Sequence, residues 1–232
     1  MRARRLKPIW VAVAALAGCG EPDPGYFPLD AGRRWEFAIN IHTMAGPKQQ
    51  KLIIENLGRR WIDGEEVTQR RVGTGNSYFF RADDTGVTLV AESTDGNATR
   101  RLDVPRTVIG YPASTGTSWT GTTRTVVLEK ITPPEGSLTR IEETLDMRYV
   151  IEATDDVVTV PAGRFEGCLR IKGTATSSRN IGFYIGSTDI RVESTDWYAP
   201  GVGLIKAERN ESTSEPTFPQ GGYTLELIAR AP

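Results

Sequence analysis

Hydrophobic and polar residues alternate along most of the chain beyond residue 26, with the period of two that is typical of half-buried β-strands. The clearest example is the series Trp35, Phe37, Ile39 and Ile41, which alternates with Glu36, Ala38, Asn40 and His42. Further strands are predicted at 50–57, 78–82, 87–91, 119–131, 138–153, 157–160, 168–174, 188–198, 202–208 and 223–229. Asp63-Gly64 and residues 83–86 supply tight turns between neighbouring strands. We therefore predict an all-β fold, a large and mostly antiparallel curved sheet in the form of a half-barrel or a sandwich.

A short motif occurs twice in the chain. Pro28, Gly32 and Trp35 recur with the same spacing as Pro112, Gly116 and Trp119, and an aromatic residue precedes each proline. Proline and glycine turn the chain, and tryptophan then fills the core at the start of a strand. The repeat predicts a single β domain over residues 26–232 that is built from two related half-sheets, 26–110 and 111–232. A chance match of three residues is the alternative.

The first 18 residues have a different pattern. Four basic residues precede the apolar run 9–17, and small residues then lead to Cys19. The run is too short to cross a bilayer, which needs about 20 helical residues. Basic start, apolar run and small residues together predict a secretory signal peptide over residues 1–18.

The ending Leu16-Ala17-Gly18-Cys19 resembles the lipobox of bacterial lipoproteins. The resemblance implies that the Cys19 thiol carries lipid, that the signal is cut before it, and that residues 19–25 tether the protein to a membrane. Because Gly20 and not aspartate follows the cysteine, the resemblance implies the outer membrane in a Gram-negative host and the cell membrane in a Gram-positive one. The alternative is an ordinary signal peptide followed by an unrelated cysteine.

Two motifs in the C-terminal half resemble a further family. Val160-Pro161-Ala162-Gly163-Arg164-Phe165 and Trp197-Tyr198-Ala199-Pro200-Gly201-Val202-Gly203 are similar to the V-P-A-G-x-F and W-Y-A-P-G-V-G motifs of uncharacterised bacterial envelope lipoproteins. This resemblance implies an all-β envelope domain and no particular activity. Both segments also have a structural interpretation as glycine-containing turns flanked by aromatic residues of the core.

Charge and composition narrow the classes of function. Removal of the signal leaves 24 basic against 29 acidic side chains, and no segment is rich in lysine or arginine, so nucleic acid is not expected as a partner. Cys19 and Cys168 are the two cysteines, so lipidation of the first excludes a disulfide framework, and Cys168 is expected to be a small buried residue.

The sequence contains no recognisable catalytic constellation. His42 is the single histidine, and neither a nucleophile elbow nor a phosphate-binding loop is present. The doublets Asp83-Asp84 and Asp155-Asp156 are predicted to lie in turns, where a weak calcium site is the alternative to hydrogen bonds with their own backbone. We therefore predict a protein that is not an enzyme and that has no cofactor and no metal.

Three functional hypotheses follow, in order of preference. The first is a lipid-anchored domain that binds an apolar ligand or lipid, with a ligand face drawn from Trp35, Trp119, Phe165, Trp197 and Tyr198. The second is an assembly protein that docks an envelope partner through an edge strand or the apolar segment 181–186. The third is a hydrolase with carboxylates from separate strands. Residues 211–222 are predicted to form a long polar hairpin loop.

Overall fold

The computed structural model describes residues 25–73, 75–94, 96–132, 137–140, 142–180, 186–214 and 220–231. The predicted signal peptide, the lipobox with Cys19 and residues 19–24 of the tether lie outside this part of the chain. The strands are β1 (Arg34–Thr43), β2 (Gly46–Ile62), β3 (Glu65–Val72), β4 (Asn76–Asp83), β5 (Gly86–Ser93), β6 (Arg100–Gly110), β7 (Ser118–Arg124), β8 (Glu129–Thr132), β9 (Ser137–Arg140), β10 (Thr144–Val160), β11 (Gly163–Asn180), β12 (Ser187–Ala199), β13 (Gly203–Thr213) and β14 (Gly221–Ala231). The described residues include no helix of the length and apolarity needed to cross a membrane.

Twelve of these strands form one antiparallel sheet. Its order is β6-β5-β4-β3-β2-β1-β14-β13-β12-β11-β10-β7, and β8 pairs with β9 separately. The sheet consists of two six-stranded meanders, β1 to β6 and β7 with β10 to β14, which are joined where β1 pairs with β14. The sheet is nearly closed into a barrel, so that the two edge strands β6 and β7 face one another. The prediction of an all-β, mostly antiparallel fold is confirmed.

The repeated sequence motif occupies equivalent places in the two meanders. The amide of Gly32 donates to the carbonyl of Asn56 on β2, and the amide of Gly116 donates to the carbonyl of Ile151 on β10, each at 2.9 Å. In both cases the residue after the glycine accepts a hydrogen bond in return. A β-bulge then follows Asn56 and Ile151 in the pairing with the next strand. The motif therefore sets the same local geometry at the start of each meander.

The predicted bounds of two long strands are wrong. The strand expected over 119–131 ends at Arg124, and the one expected over 138–153 is interrupted, because β9 ends at Arg140 and β10 begins at Thr144. Between β7 and β8 the chain leaves the sheet, since the amides of residues 126–128 bind the carboxylate of Glu211 and not a neighbouring strand. A side chain from a distant strand thus overrides the local preference for extended pairing.

Strand β6 was absent from the predicted set. Its sequence is rich in charge, and Pro105 lies at its centre. Proline cannot donate to a strand ladder, so it is tolerated at a sheet edge and not in a central strand. Pro105 and the charged residues interrupt the alternating pattern by which strands were predicted. They suit the position of β6, because it is an edge strand of the sheet.

The two ends of the barrel are filled by packed side chains. At the end where the described chain begins, Tyr26 packs with Ile109, Ile151 and other buried residues. At the opposite end, Leu128 is fully buried against Leu145, Met147, Ala175, Ile190 and Val192. The segment that follows β7 therefore caps one half of the barrel.

Candidate functional site

Part of the inner face of the sheet is not fully buried. Ile39 and Ile41 of β1 and Tyr223 of β14 lie on the same sheet face as Phe37 and Leu227, which are fully buried. All three are nevertheless only half-buried. Side chains on the inner face of a filled barrel would lose nearly all of their exposure. The inner face is therefore incompletely covered around these side chains, and Tyr223 lines a cleft.

An acidic residue lies on the same inner face. Asp196 on β12 pairs with Ile171 of β11 and Ala207 of β13, and both neighbours on the inner face are buried. Burial raises the pKa of Asp196 from 3.8 to about 7, and the nearby charge of Arg209 opposes that rise. Among the described residues, no side chain donates a hydrogen bond to this carboxyl group. The group is therefore largely protonated just below neutral pH.

Tyrosine side chains surround the acid. Tyr149, Tyr198 and Tyr223 each interact electrostatically with Asp196, and burial raises the pKa of all three phenols, that of Tyr223 to about 12. Tyr149 also stacks on Trp119, with ring centroids 5.6 Å apart. The interior thus combines apolar walls and aromatic rings with one group that titrates near neutral pH, as is common in small-molecule sites.

Replacing Asp196 with asparagine should stabilise the protein at alkaline pH. The raised pKa means that the native state holds a proton between about pH 4 and pH 7 that the unfolded chain has released, so stability falls as pH rises through this window. A full three-unit shift corresponds to about 4 kcal/mol, and the partial exposure of the carboxyl reduces this. We expect Asp196→Asn to gain about 2 kcal/mol at pH 8 and almost nothing at pH 4.

Urea unfolding at both pH values measures this difference. Asp189→Asn is the matched control, because Asp189 is exposed on the same strand, and it should show no such pH dependence. An equal gain for Asp196→Asn at pH 4 and pH 8 would contradict the assignment of a raised pKa.

A buried ion pair fixes one wall of the interior. Arg209 and Glu211 on β13 are joined by a hydrogen bond of 2.7 Å from Nε to Oε1. Glu211 is fully buried and also accepts hydrogen bonds from the backbone amides of residues 126–128. The other guanidinium nitrogens of Arg209 donate to the Thr123 hydroxyl and the Arg124 carbonyl. These contacts hold the end of β7 against β13, which is four strands away in the sheet.

The wall of the barrel opens between the two edge strands. The indole of Trp119 on β7 donates to the carbonyl of Thr107 on β6 at 3.1 Å, which joins the strands near one end. Next to this contact, Gly121 of β7 lies against the side chain of Arg106. Beyond Arg106 the strands separate and border a cleft of about 640 Å³. Its lining includes Tyr78, Arg209 and Tyr223 of the inner face, so the cleft leads into the interior.

No protein-family model and no curated protein matches this chain. Two solved structures are similar to it. One is a protein of Bacteroides fragilis that is predicted to be exported and has a YmcC-like fold; it is 15% identical, with a TM-score of 0.39 over 89% of this chain and 98% of that chain. The other is a predicted lipoprotein of Parabacteroides distasonis, 13% identical, with a TM-score of 0.37 over the same shares.

Three of the aromatic residues expected at a ligand face lie on the inner side of the sheet or in its packed end. Trp35 is buried, and its indole donates to the carbonyl of Val202 at 2.7 Å. Tyr198 is buried in the cluster that contains Tyr26. Trp119 is half-buried beside the cleft and against Tyr149. Of these three, Trp119 retains the largest exposed fraction.

The other two lie elsewhere. Trp197 is on the opposite face of β12 from Asp196, and its indole donates to Asp156 while Lys206 lies 5.1 Å from its ring. Phe165 packs at the edge of the core with Arg230 over its ring. The structure does not bring the five aromatic residues to one face, and their role in ligand binding stays a prediction.

Among the residues that the structure describes, the cysteine and the acidic residues that the sequence analysis considered do not form a site. Cys168 is buried and free, and burial raises the pKa of its thiol. Asp83 accepts hydrogen bonds within its own turn, from the amide and hydroxyl of Thr85. Asp156 was expected in a turn, which is wrong, because it lies within β10 and pairs with Arg170 at 2.9 Å. Within the described part of the chain, no three histidine, cysteine or acidic residues are grouped as metal ligands would be.

Interior residues that the sequence analysis did not identify follow one alternating pattern on β13. Ile205, Ala207, Arg209 and Glu211 alternate along β13 and are all buried. Extending the apolar alternation to Arg209 and Glu211 would have marked both as inward-facing charges. The prediction that Glu211 begins a polar loop is wrong, since β13 continues to Thr213; residues 215–219 of that loop lie outside the described residues.

Proposed function

We propose that this chain is a lipid-anchored protein of the cell envelope that binds an apolar ligand inside its barrel and catalyses no reaction. The observation that carries the proposal is the partly exposed inner face, where Ile39, Ile41 and Tyr223 are half-buried and Tyr223 lines a cleft of about 640 Å³. Apolar and aromatic walls with a few polar groups are the usual lining of a small-molecule site. The cleft between β6 and β7 supplies an entrance from the side.

The anchor part of the proposal rests on the sequence. The lipobox ending in Cys19 and the basic and apolar segments before it favour acylation of that cysteine, and Gly20 favours the outer membrane of a Gram-negative host. Attached acyl chains would hold the protein at the membrane, because each buried CH₂ contributes about 0.8 kcal/mol. Labelling with radioactive palmitate should mark the full chain and not its Cys19→Ser variant.

Binding is tested with the full chain carrying Cys19→Ser, so that no attached acyl chain competes for the site. N-phenyl-1-naphthylamine, a neutral apolar dye, should bind and fluoresce. Ile41→Lys places a charge on the inner face, so we expect the dye affinity to fall at least about tenfold, since burying an unpaired charge is costly.

Asn40→Lys is the matched control for this experiment. Asn40 precedes Ile41 on β1 and therefore faces the outside of the sheet. Its lysine variant should bind the dye like the parent protein. If dye binding is absent in the parent, or is equally strong in both lysine variants, the proposed interior site is wrong.

A second function is favoured by one surface feature. Trp61, at the end of β2, is 70% exposed, which is unusual for so large an apolar side chain. An exposed tryptophan suits an envelope protein that docks a partner. Crosslinking in cells separates the two functions, because a crosslinked protein that is lost in Trp61→Ser, together with no dye binding, would favour docking.

A further inference from the structure

We propose that the cleft between β6 and β7 binds the anionic head of an amphiphile whose hydrocarbon chain enters the barrel. This inference rests on the proposed apolar-ligand function and adds to it the chemical class of the ligand. The head is a carboxylate or a phosphate, and the tail is an acyl or alkyl chain.

The charge of the cleft selects an anion. Four arginines and one carboxylate line it: Arg100, Arg106, Arg124, Arg209 and Glu92. Arg100 pairs with Glu92 at 2.8 Å, and Arg209 is neutralised by Glu211 behind it. Among the described residues, no carboxylate pairs with Arg106 or Arg124. Two arginines therefore face the cleft without a counterion, and their planar donors match a carboxylate or phosphate.

The same cleft is also apolar, which distinguishes it from a site for a free anion. Val104 and Val126 are 76% and 42% exposed, and both lie in its lining beside the arginines. Leu102 on β6 and Tyr223 on β14 continue the apolar surface toward the interior. Covering the exposed valines with a hydrocarbon chain removes apolar surface from water, which favours binding. Inorganic phosphate provides no such contribution. The juxtaposition fits a molecule that is charged at one end and apolar at the other.

An edge strand can also pair with a β-strand of another chain, but β6 is poorly suited to such pairing. Pro105 removes a backbone donor from the middle of this edge, and charged side chains flank it on both sides. Such features are the usual protection of edge strands against pairing with another chain. The edge therefore favours a ligand held by side chains over a peptide held by backbone hydrogen bonds.

The test compares heads on one chain length. Dodecanoate, dodecyl phosphate and 1-dodecanol each displace N-phenyl-1-naphthylamine from the full chain carrying Cys19→Ser. We expect one or both anions to bind at least about tenfold more tightly than the alcohol, and the preference to shrink as salt rises. The stronger of the two anions identifies the head, and inorganic phosphate alone should not displace the dye.

Arg106→Gln combined with Arg124→Gln should remove the preference, with roughly tenfold or greater loss for the anion and less than about twofold change for the alcohol. Arg60→Gln combined with Arg148→Gln is the matched control, because it makes the same change in charge at exposed positions away from the cleft. An equal loss in the control would assign the preference to overall charge and overturn the inference.

The outcomes distinguish a failure of this inference from a failure of the proposed apolar-ligand function. If the dye and the alcohol bind but neither anion is preferred by the parent protein, the cleft is not an anion site and the apolar-ligand function stands. If neither the dye nor any amphiphile binds, the proposed function itself fails. If inorganic phosphate competes as well as dodecyl phosphate, the ligand is a free anion and the amphiphile is wrong. The parent protein alone decides these three outcomes, whatever the stability of the arginine variants.

Discussion

Replacing Glu211 with alanine should lower the free energy of unfolding by about 3–5 kcal/mol, because the substitution leaves Arg209 as a buried charge without its carboxylate. It also leaves the amides of residues 126–128 without their acceptor. In a chain of this length the loss corresponds to a fall in melting temperature of about 10 °C. Thermal unfolding followed by circular dichroism measures it.

Hydrogen exchange tests the mechanism of that loss. The amides of Val126, Val127 and Leu128 should lose protection first, because the carboxylate of Glu211 is their hydrogen-bond acceptor. Glu208→Ala is the matched control, since Glu208 lies on the same strand in a partly exposed ion pair with Lys206. It should cost less than about 1 kcal/mol. Equal effects of the two substitutions would contradict a structural role for the buried pair.

The second large effect is expected from Gly86→Ala. Gly86 begins β5 with a φ of 139°, and a Cβ at this position would overlap the carbonyl oxygen of Ile109 on β6. Backbone strain and overpacking each cost about 1–3 kcal/mol, so we expect a loss of about 4 kcal/mol. Because Gly86 pairs with Gly110, the substitution also displaces the strand that borders the cleft.

Gly163→Ala separates the clash from the strain. Gly163 begins β11 with a φ of 134°, close to that of Gly86, but no atom lies within 4 Å of an added Cβ. Its alanine variant should therefore show only the strain, about 1–2 kcal/mol. Urea unfolding of both variants gives the comparison. A loss for Gly163→Ala as large as that for Gly86→Ala would show that close packing at Ile109 is not the cause.

Most residues of the interior site could not be predicted from the sequence. Trp119 was expected at a ligand face, and it lies beside the cleft, but Asp196 and the cleft arginines were not singled out. Arg106 and Arg124 are 18 residues apart along the chain, and only Arg124 lies in a predicted strand, so no basic segment of the sequence marks them as a pair. They meet only because the sheet coils until its first and last strands in the sheet order face one another.

By itself, the sequence determined the all-β fold and most strand positions, because alternation and turn chemistry act between residues close in the chain. Only the tertiary structure decided which strands remain at the edge, which charges face inward and where the wall stays open. The contact between Arg209 and Thr123 spans 86 residues. Its existence depends on strand order and register across the whole sheet, which no local pattern of hydrophobic and polar residues specifies.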